Sequence, residues 1–252
     1  MPEHLNITNS LLLTLNKSDQ DLLLPHLETV RLTLRQLLAE EHRPLQYAYF
    51  LQSGLASIVA RTPTTKAAEI GIVGREGVVG SELAIGDRQS PFEVFVQMEG
   101  TALRIGAAEL ETAIGQSESL RLLLGRYSRS LWIQAAYTAI TNAQSRIEAR
   151  LARWLLMVHD RADGDAFHIT HEFMALMLAV RRPGVTVALH ELEGKGLIRS
   201  LRREVVIRDR EGLIEMADGG YTLPEIEYER LIGAPLMRRS GRVKSPDLER
   251  EP

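Results

Sequence analysis

The sequence predicts an α+β protein in which a small β-barrel or sandwich precedes a long helix and a C-terminal pair of short helices. Between residues 29 and 105, short apolar runs alternate with glycines and other turn residues, a pattern typical of many short strands. From residue 120 to residue 154, apolar side chains recur at helical spacing without a proline. After residue 168, two short helical patterns are followed by a basic extended run.

Composition excludes several classes of protein. The chain has 252 residues, 44% of them hydrophobic and 25% charged, which suits one large or two ordinary globular domains. It has no cysteine, so disulfides, thiolate zinc sites and cysteine-ligated iron–sulfur clusters are excluded. No apolar run reaches the roughly 18 to 20 residues of a membrane span, and no signal peptide is visible. We expect a cytoplasmic protein without a membrane partner.

The N-terminal segment, residues 1 to 115, is predicted to be an effector domain built from strands. Leucines at helical spacing between residues 10 and 27 predict short helices that cover it. Apolar and polar residues alternate in 93 to 97 and in 102 to 105, as in half-buried strands.

Residues 116 to 143 are predicted to form one long dimerisation helix. Its apolar stripe contains Leu120, Leu124, Tyr127, Leu131 and Ala135. Such a stripe packs either on the β-domain or on the same helix of a second chain, and we favour the parallel dimer seam. Polar residues at 141 to 145 mark the boundary to a DNA-binding domain at 144 to 236. The hydrophilic tail, 237 to 252, is expected to be disordered.

The segment from 168 to 198 predicts a helix-turn-helix. Thr170 suits the N-cap of the first helix. The second helix has Pro183 in its first turn, where a proline is tolerated, and it ends near Gly194. A basic hairpin, or wing, follows. Residues 181 to 203 hold six basic and two acidic side chains, a local charge of +4. A helix N-terminus bearing arginines can enter the major groove of DNA, whereas a wing contacts the backbone.

No catalytic motif is visible. The G-x-S-x-G, H-E-x-x-H and P-loop patterns are absent, and the seven histidines show no pairing typical of a haem or metal site. We expect no enzymatic activity, no catalytic or metal-binding residues and no identifiable cofactor. An ordinary helical hairpin remains an alternative to the helix-turn-helix. A ligand-binding or protein-interaction module whose winged helix does not read DNA remains the alternative function.

These residues resemble the CRP/FNR family of bacterial transcription regulators. The most specific block is ITHEFMALMLAVRRPGVTVALHELEGKGLI at 169 to 198, which is similar to the family's helix-turn-helix without gaps, and RLARWLL at 150 to 156 resembles the opening of its DNA-binding domain. The resemblance implies a jelly-roll-like, cyclic-nucleotide-binding-like domain and a homodimer on double-stranded DNA with a pseudo-palindromic operator. RNA polymerase is a further candidate partner, although no single residue establishes that contact.

The resemblance also assigns candidate DNA contacts. Thr170 and His171 fall where the family contacts phosphate, and Arg182 falls on its arginine at the start of the recognition helix. Pro183 and Val187 replace usual family residues, so a different base preference is expected. The candidate DNA-binding residues are Thr170, His171, Arg181, Arg182, Gly184, Thr186, Val187, His190, Arg199 and Arg202.

The segment Gly80-Ser81-Glu82-Leu83-Ala84 resembles the family's phosphate-binding cassette. Ser90 stands where the family's arginine is expected, and Arg88 supplies the charge only if the loop is remodelled. A purely structural turn is the alternative. The candidate effector residues are Gly80, Ser81, Glu82, Leu83, Arg88 and Ser90. Ala135 and Ala136 stand where the classical cyclic AMP receptor presents hydroxyl groups to the adenine. We therefore do not expect cyclic AMP as the effector, and the small molecule that would bind here is unknown.

Overall fold

The computed structural model describes residues 6–62 and 67–237. Within them the α+β prediction is confirmed: antiparallel β-sheets, a long helix and a C-terminal winged helix-turn-helix follow one another along the chain. The tail expected to be disordered from residue 237 lies outside the described residues, apart from Met237 itself.

Two four-stranded sheets form the β-domain. Its strands are β1 (Glu28–Leu32), β2 (Leu37–Ala39), β3 (Tyr47–Leu51), β4 (Leu55–Arg61), β5 (Ala67–Val73), β6 (Val78–Val79), β7 (Glu93–Met98) and β8 (Gly100–Gly106). One sheet has the order β1-β8-β3-β6 and the other β2-β7-β4-β5, with all neighbours antiparallel. Phe50, Val96 and Leu103 are buried in one core, so the sheets form a jelly-roll-like double layer.

Two short helices, α1 (Ser10–Thr14) and α2 (Lys17–Leu23), precede the sheets, as the leucine spacing predicts. The buried Asn9 fixes the first of these helices on the β-domain. Its side-chain oxygen accepts from the backbone N–H of Leu12 at 3.2 Å, which caps α1, and its Nδ2 donates to the carbonyls of Leu51 and Gly77 at 2.8 Å each. One amide therefore joins the N-terminal helix to two parts of the β-domain.

After α3 (Ala107–Gln116), the long helix α4 runs over Glu118–Gln144. Three of the five residues predicted for the dimer stripe on α4 are not available to a second chain. Leu120, Leu124 and Tyr127 are fully buried in the chain's own core, whereas Leu131 and Ala135 are half-buried. The alternative, packing on the β-domain, is correct for these three residues. Helical periodicity shows that one face is apolar, but it does not show which surface covers that face.

The C-terminal part contains five helices and a small sheet. These elements are α5 (Ile147–Arg161), β9 (Ala166–His168), α6 (His171–Met177), α7 (Arg182–Gly194), β10 (Ile198–Leu201), β11 (Glu204–Ile207), α8 (Arg210–Met216) and α9 (Leu223–Ile232). The sheet has the order β10-β11-β9. The predicted helix-turn-helix and hairpin are α6, α7 and β10-β11. The sequence patterns do not predict β9, α8 or α9.

The C-terminal helices pack on the β-domain through buried polar contacts. Arg161 Nε donates to Glu76 Oε1 at 2.8 Å, and both side chains are almost completely buried. Trp154 Nε1 donates to Glu69 Oε1 at 2.8 Å, and Ser57 Oγ donates to Glu69 Oε2 at 2.5 Å. Burial raises the pKa of Glu69 to about 7, although both hydrogen bonds oppose that rise. Breaking one partner of such a pair would leave a buried polar group unsatisfied.

An apolar contact accompanies these polar ones. Phe173 of α6 lies with its ring centre 6.3 Å from that of Phe95 on β7, and the Arg35 guanidinium lies 5.4 Å from the Phe173 ring centre. The β-domain therefore positions the first helix of the helix-turn-helix directly.

Helix α9 also contacts the β-domain: the Tyr228 hydroxyl donates to the Glu76 carbonyl at 2.7 Å.

Candidate DNA-reading edge and effector cavity

Helix α7 has one buried and one exposed face. Val185, Ala188, Leu189 and Leu192 lie in the C-terminal core. Arg181 is the N-cap of α7, and Pro183 lies in its first turn. A proline is tolerated there because the N–H groups of the first turn make no hydrogen bond within the helix. The burial of these apolar side chains fixes which residues of α7 point outward.

The outward residues match the predicted DNA contacts. Among the ten candidates none is buried, and seven are exposed: His171, Arg181, Arg182, Val187, His190, Arg199 and Arg202. Thr170, Gly184 and Thr186 are half-buried. Val187 is 62% exposed, which is unusual for a large apolar side chain on a helix that otherwise contributes to a core. The structure therefore makes this edge accessible to a partner.

Contacts at the edge link the two helices. Thr170 caps α6, because its Oγ1 accepts from the Phe173 backbone N–H at 3.2 Å. Arg182 Nη2 lies 2.9 Å from Glu172 Oε2, and Thr186 Oγ1 lies 3.3 Å from His171 Nδ1. Both pairs are exposed. Glu172, which the sequence analysis did not single out, holds the leading arginine of α7.

The wing presents two arginines at its tip. Arg202 and Arg203 connect β10 to β11, and Arg203 has a positive φ of 62°. The Arg203 carbonyl accepts from the Ile169 backbone N–H at 3.0 Å, which ties the tip to the strand before α6. The wing is thus anchored beside the first helix while its cationic side chains face solvent.

A cavity of about 310 Å³ lies between the β-domain and α4. Four candidate effector residues line it: Gly80, Ser81, Glu82 and Ser90. Gly80, with φ of +100°, begins a 3₁₀ turn over Ser81–Ile85. Burial raises the pKa of the Glu82 carboxyl, and a hydrogen bond from Ser90 opposes that rise.

The structure corrects two of the predicted effector residues. Leu83 is buried in the hydrophobic core and does not line the cavity, because the 3₁₀ turn directs it inward. Arg88 does not line it either: its guanidinium is exposed and pairs with Glu111 of α3, with Nε donating to Oε1 at 2.7 Å. Arg88 and Glu111 are 23 residues apart in the sequence, so no local pattern predicts their ion pair.

The cavity does not fit a cyclic phosphate. None of the described residues that line it is Lys, Arg or His, whereas Glu82 and Asp87 are acidic. Ser90 is buried and accepts from the Phe92 backbone N–H at 3.2 Å, so it caps the loop at the position expected to carry an arginine. Without a cation, a phosphate would lose its hydration and gain no charged partner.

Within residues 6–62 and 67–237, no group of three or more His, Asp or Glu side chains could hold a metal ion. No helix in these ranges is long and apolar enough to cross a membrane.

Several solved structures share this fold. FixK2 from Bradyrhizobium japonicum aligns with a TM-score of 0.66 at 16% identity over 75% of this chain and 96% of its own. A CRP-family regulator from Thermus thermophilus gives 0.63 at 19% identity over 75% and 97%. The c-di-GMP responsive global regulator CLP of Xanthomonas campestris gives 0.59 at 18% identity over 76% and 99%.

Family models match both halves of the chain, whereas no curated protein sequence matches it significantly. A cyclic nucleotide-binding domain matches residues 29–117, and a Crp-like helix-turn-helix domain matches residues 149–216. The two matches contain the cavity-lining turn and the whole of α6, α7 and the wing. The helix-turn-helix indicates regulation of transcription through DNA. With this pair of domains and this fold, the chain belongs to the CRP/FNR family of transcription regulators.

Proposed function

We propose that the protein is a homodimer that binds a pseudo-palindromic operator through α7 and responds to a small molecule in the β-domain cavity. The observation that carries the proposal is the exposed, arginine-bearing N-terminal edge of α7 on a helix whose other face is buried. The major groove is about 12 Å wide and admits such a helix.

Five of the seven exposed residues have a specific chemical role in this proposal. Arg181 and Arg182 bind guanine edges or phosphates, and the partial positive charge of the helix N-terminus attracts phosphate. Val187 offers an apolar contact to a thymine methyl. The wing residues Arg199 and Arg202 bind phosphates and carry no sequence information.

A second face of α4 supports the dimer. Leu122, Trp132 and Ile140 are 44%, 61% and 50% exposed. Steps of three and four residues alternate along Leu122, Gly125, Arg129, Trp132, Ala136, Ala139 and Ala143. This 3.5-residue period is that of a coiled-coil seam, and α4 is about 40 Å long at 1.5 Å per residue. The dimer face therefore lies on the side of α4 that the β-domain leaves uncovered.

Selection from random duplexes tests DNA binding. We expect enrichment of an inverted repeat whose half-sites lie about 10 base pairs apart, or a multiple of that, since two α7 helices must enter successive major grooves. Arg182→Glu should abolish binding, whereas Arg43→Glu, a matched charge reversal on an exposed β-domain loop, should not. If the wild type binds no duplex at low salt, the winged helix serves another partner.

Analytical ultracentrifugation tests the dimer. Ala139→Glu should shift the protein toward monomer, because it places a charge at an exposed position of the proposed seam. Leu13→Glu, at an exposed leucine of α1, is the control and should leave the dimer intact. A wild type that sediments as a monomer at the concentrations used for DNA binding would refute the seam.

A further inference from the structure

The β-domain cavity departs from a cyclic-nucleotide site in its chemistry. Twelve of its twenty described lining residues are apolar, and they come from both sheets and from α4. The polar lining groups are Ser81, Glu82, Asp87, Gln89, Ser90 and Ser128. A ligand in this cavity would contact mainly apolar side chains and could form hydrogen bonds with the few polar ones.

We infer that this cavity binds an uncharged, mainly apolar molecule of about two fused rings with one hydrogen-bonding group, in place of a cyclic nucleotide. The inference rests on the proposed function, because it names the class of effector for the same cavity. Charge supports it first. Two carboxyl groups and no cation line the described wall, so an anionic ligand would be both desolvated and repelled.

Size supports the inference next. The cavity measures about 310 Å³, and an apolar cavity of roughly 150 Å³ binds one benzene. A molecule of about two such rings therefore fills it. Hydroxyls of Ser81, Ser90 and Ser128 can hydrogen-bond one polar group on that molecule.

The mouth of the cavity gives a third argument. Ile85 lines it and is 79% exposed, whereas Trp132, which also lines it, belongs to the proposed dimer seam. A bound apolar molecule would cover part of the Ile85 side chain, and removing that apolar surface from water favours binding. Ser128, Leu131, Trp132 and Ala135 lie on α4, so the ligand would touch the helix that carries the proposed dimer seam.

A matched pair of probes tests the ligand class on the full-length wild type. 2-Naphthol is uncharged at neutral pH and has two fused rings with one hydroxyl. 2-Naphthyl phosphate has the same rings and a charge of about −1.5 to −2. By isothermal titration calorimetry we expect saturable 2-naphthol binding at one site per chain, at least about tenfold tighter than that of 2-naphthyl phosphate or cyclic AMP.

Variants locate the binding. Ala135→Trp fills the cavity from α4 and should weaken 2-naphthol at least about tenfold. Ala108→Trp, at an exposed position of α3 outside both the cavity lining and the proposed seam, is the control and should leave the affinity unchanged. Ile70→Trp, which fills the cavity from β5, serves if Ala135→Trp does not fold.

Three results would overturn the inference: no saturable 2-naphthol binding up to its solubility, equal or tighter binding of either phosphate, or 2-naphthol binding insensitive to the cavity-filling variants. DNA binding of the same preparations is measured alongside. Intact DNA binding with any of these results refutes the ligand class alone. Loss of DNA binding by the wild type instead refutes the proposed regulator.

Discussion

Glu172 restrains the leading arginine of the recognition helix. Its carboxylate lies 2.9 Å from Arg182 Nη2, and both side chains are exposed. An exposed pair of this kind contributes about 0.2 to 1 kcal/mol, so it can be broken when Arg182 meets a stronger acceptor such as phosphate.

Glu172→Gln should therefore raise DNA affinity by about two- to fivefold, because it frees Arg182 and removes a negative charge from a surface proposed to meet phosphates. Fluorescence anisotropy with a selected operator measures the change. Asp21→Asn, which weakens the comparably exposed pair between Lys17 and Asp21 on α2, is the control and should have no effect. Weaker binding by Glu172→Gln would show that the pair orients Arg182 productively.

Gly77 permits the close approach of α4 to the β-domain. A Cβ atom at this position would overlap the Tyr127 hydroxyl, and Tyr127 is fully buried. Gly77→Ala should lower the free energy of unfolding by about 1 to 3 kcal/mol, as overpacked core sites do. Urea denaturation measures it. Gly115→Ala is the matched control, since no atom lies within 4 Å of its Cβ and alanine favours the helix. Tyr127→Phe in the Gly77→Ala background should recover part of the loss.

At the scale of elements, we propose that α7 and the wing contribute differently to DNA binding. The arginines of α7 lie at the start of a helix that fits the major groove, whereas those of the wing sit at the tip and flank of a hairpin. Base-edge contacts discriminate between sequences, whereas phosphate contacts supply affinity that falls with salt.

Arg202→Ala should weaken binding to all duplexes alike. It should also reduce the slope of the log of the binding constant against the log of the salt concentration by about 0.9, because one fewer phosphate contact releases counterions. Arg182→Ala should also change the preferred bases. Anisotropy titrations over a series of salt concentrations distinguish the two. Arg43→Ala is the control, on a loop away from the helix-turn-helix. An unchanged slope for Arg202→Ala would place the wing tip off the DNA.

At the scale of the whole molecule, buried polar groups join the β-domain to the C-terminal helices. Glu69 accepts from Trp154 and from Ser57, and the Arg153 and Arg161 guanidiniums also lower its pKa. Burial outweighs all of these effects and raises the pKa to about 7, above the ordinary value of 4.5. The fold therefore favours the protonated carboxyl.

The stabilising effect of this protonation has a definite pH window. Below about pH 4.5 both folded and unfolded states hold the proton. As the pH rises toward 7, the unfolded state loses its proton first, so this contribution to stability falls, by roughly 3 kcal/mol in total. Urea denaturation of wild type and Glu69→Gln at pH 5 and pH 7.5 measures it. The wild type should lose more stability over this interval than Glu69→Gln. Equal losses would show that Glu69 does not titrate there.

The helix-turn-helix could be predicted because its signals are local. The cap at Thr170, the proline at Pro183 and the apolar spacing of α7 each act within one or two turns of helix. Helix α9 also has local signals, a capping box of Thr222 and Glu225 and a glycine, Gly233, at its end, and the sequence analysis missed them. Its place in the fold is not local, because it depends on Tyr228, which donates to a carbonyl 152 residues away.

The sequence by itself determined the α+β class, the succession of β-domain, long helix, helix-turn-helix and wing, the outward residues of α7 and the absence of cysteine chemistry, because these follow from periodicity, caps and composition. Only the tertiary structure decided which face of α4 is covered, where Arg88 points and what lines the cavity. These features depend on contacts between residues far apart in the chain, where an apolar stripe or a charged side chain has several possible partners and packing selects one.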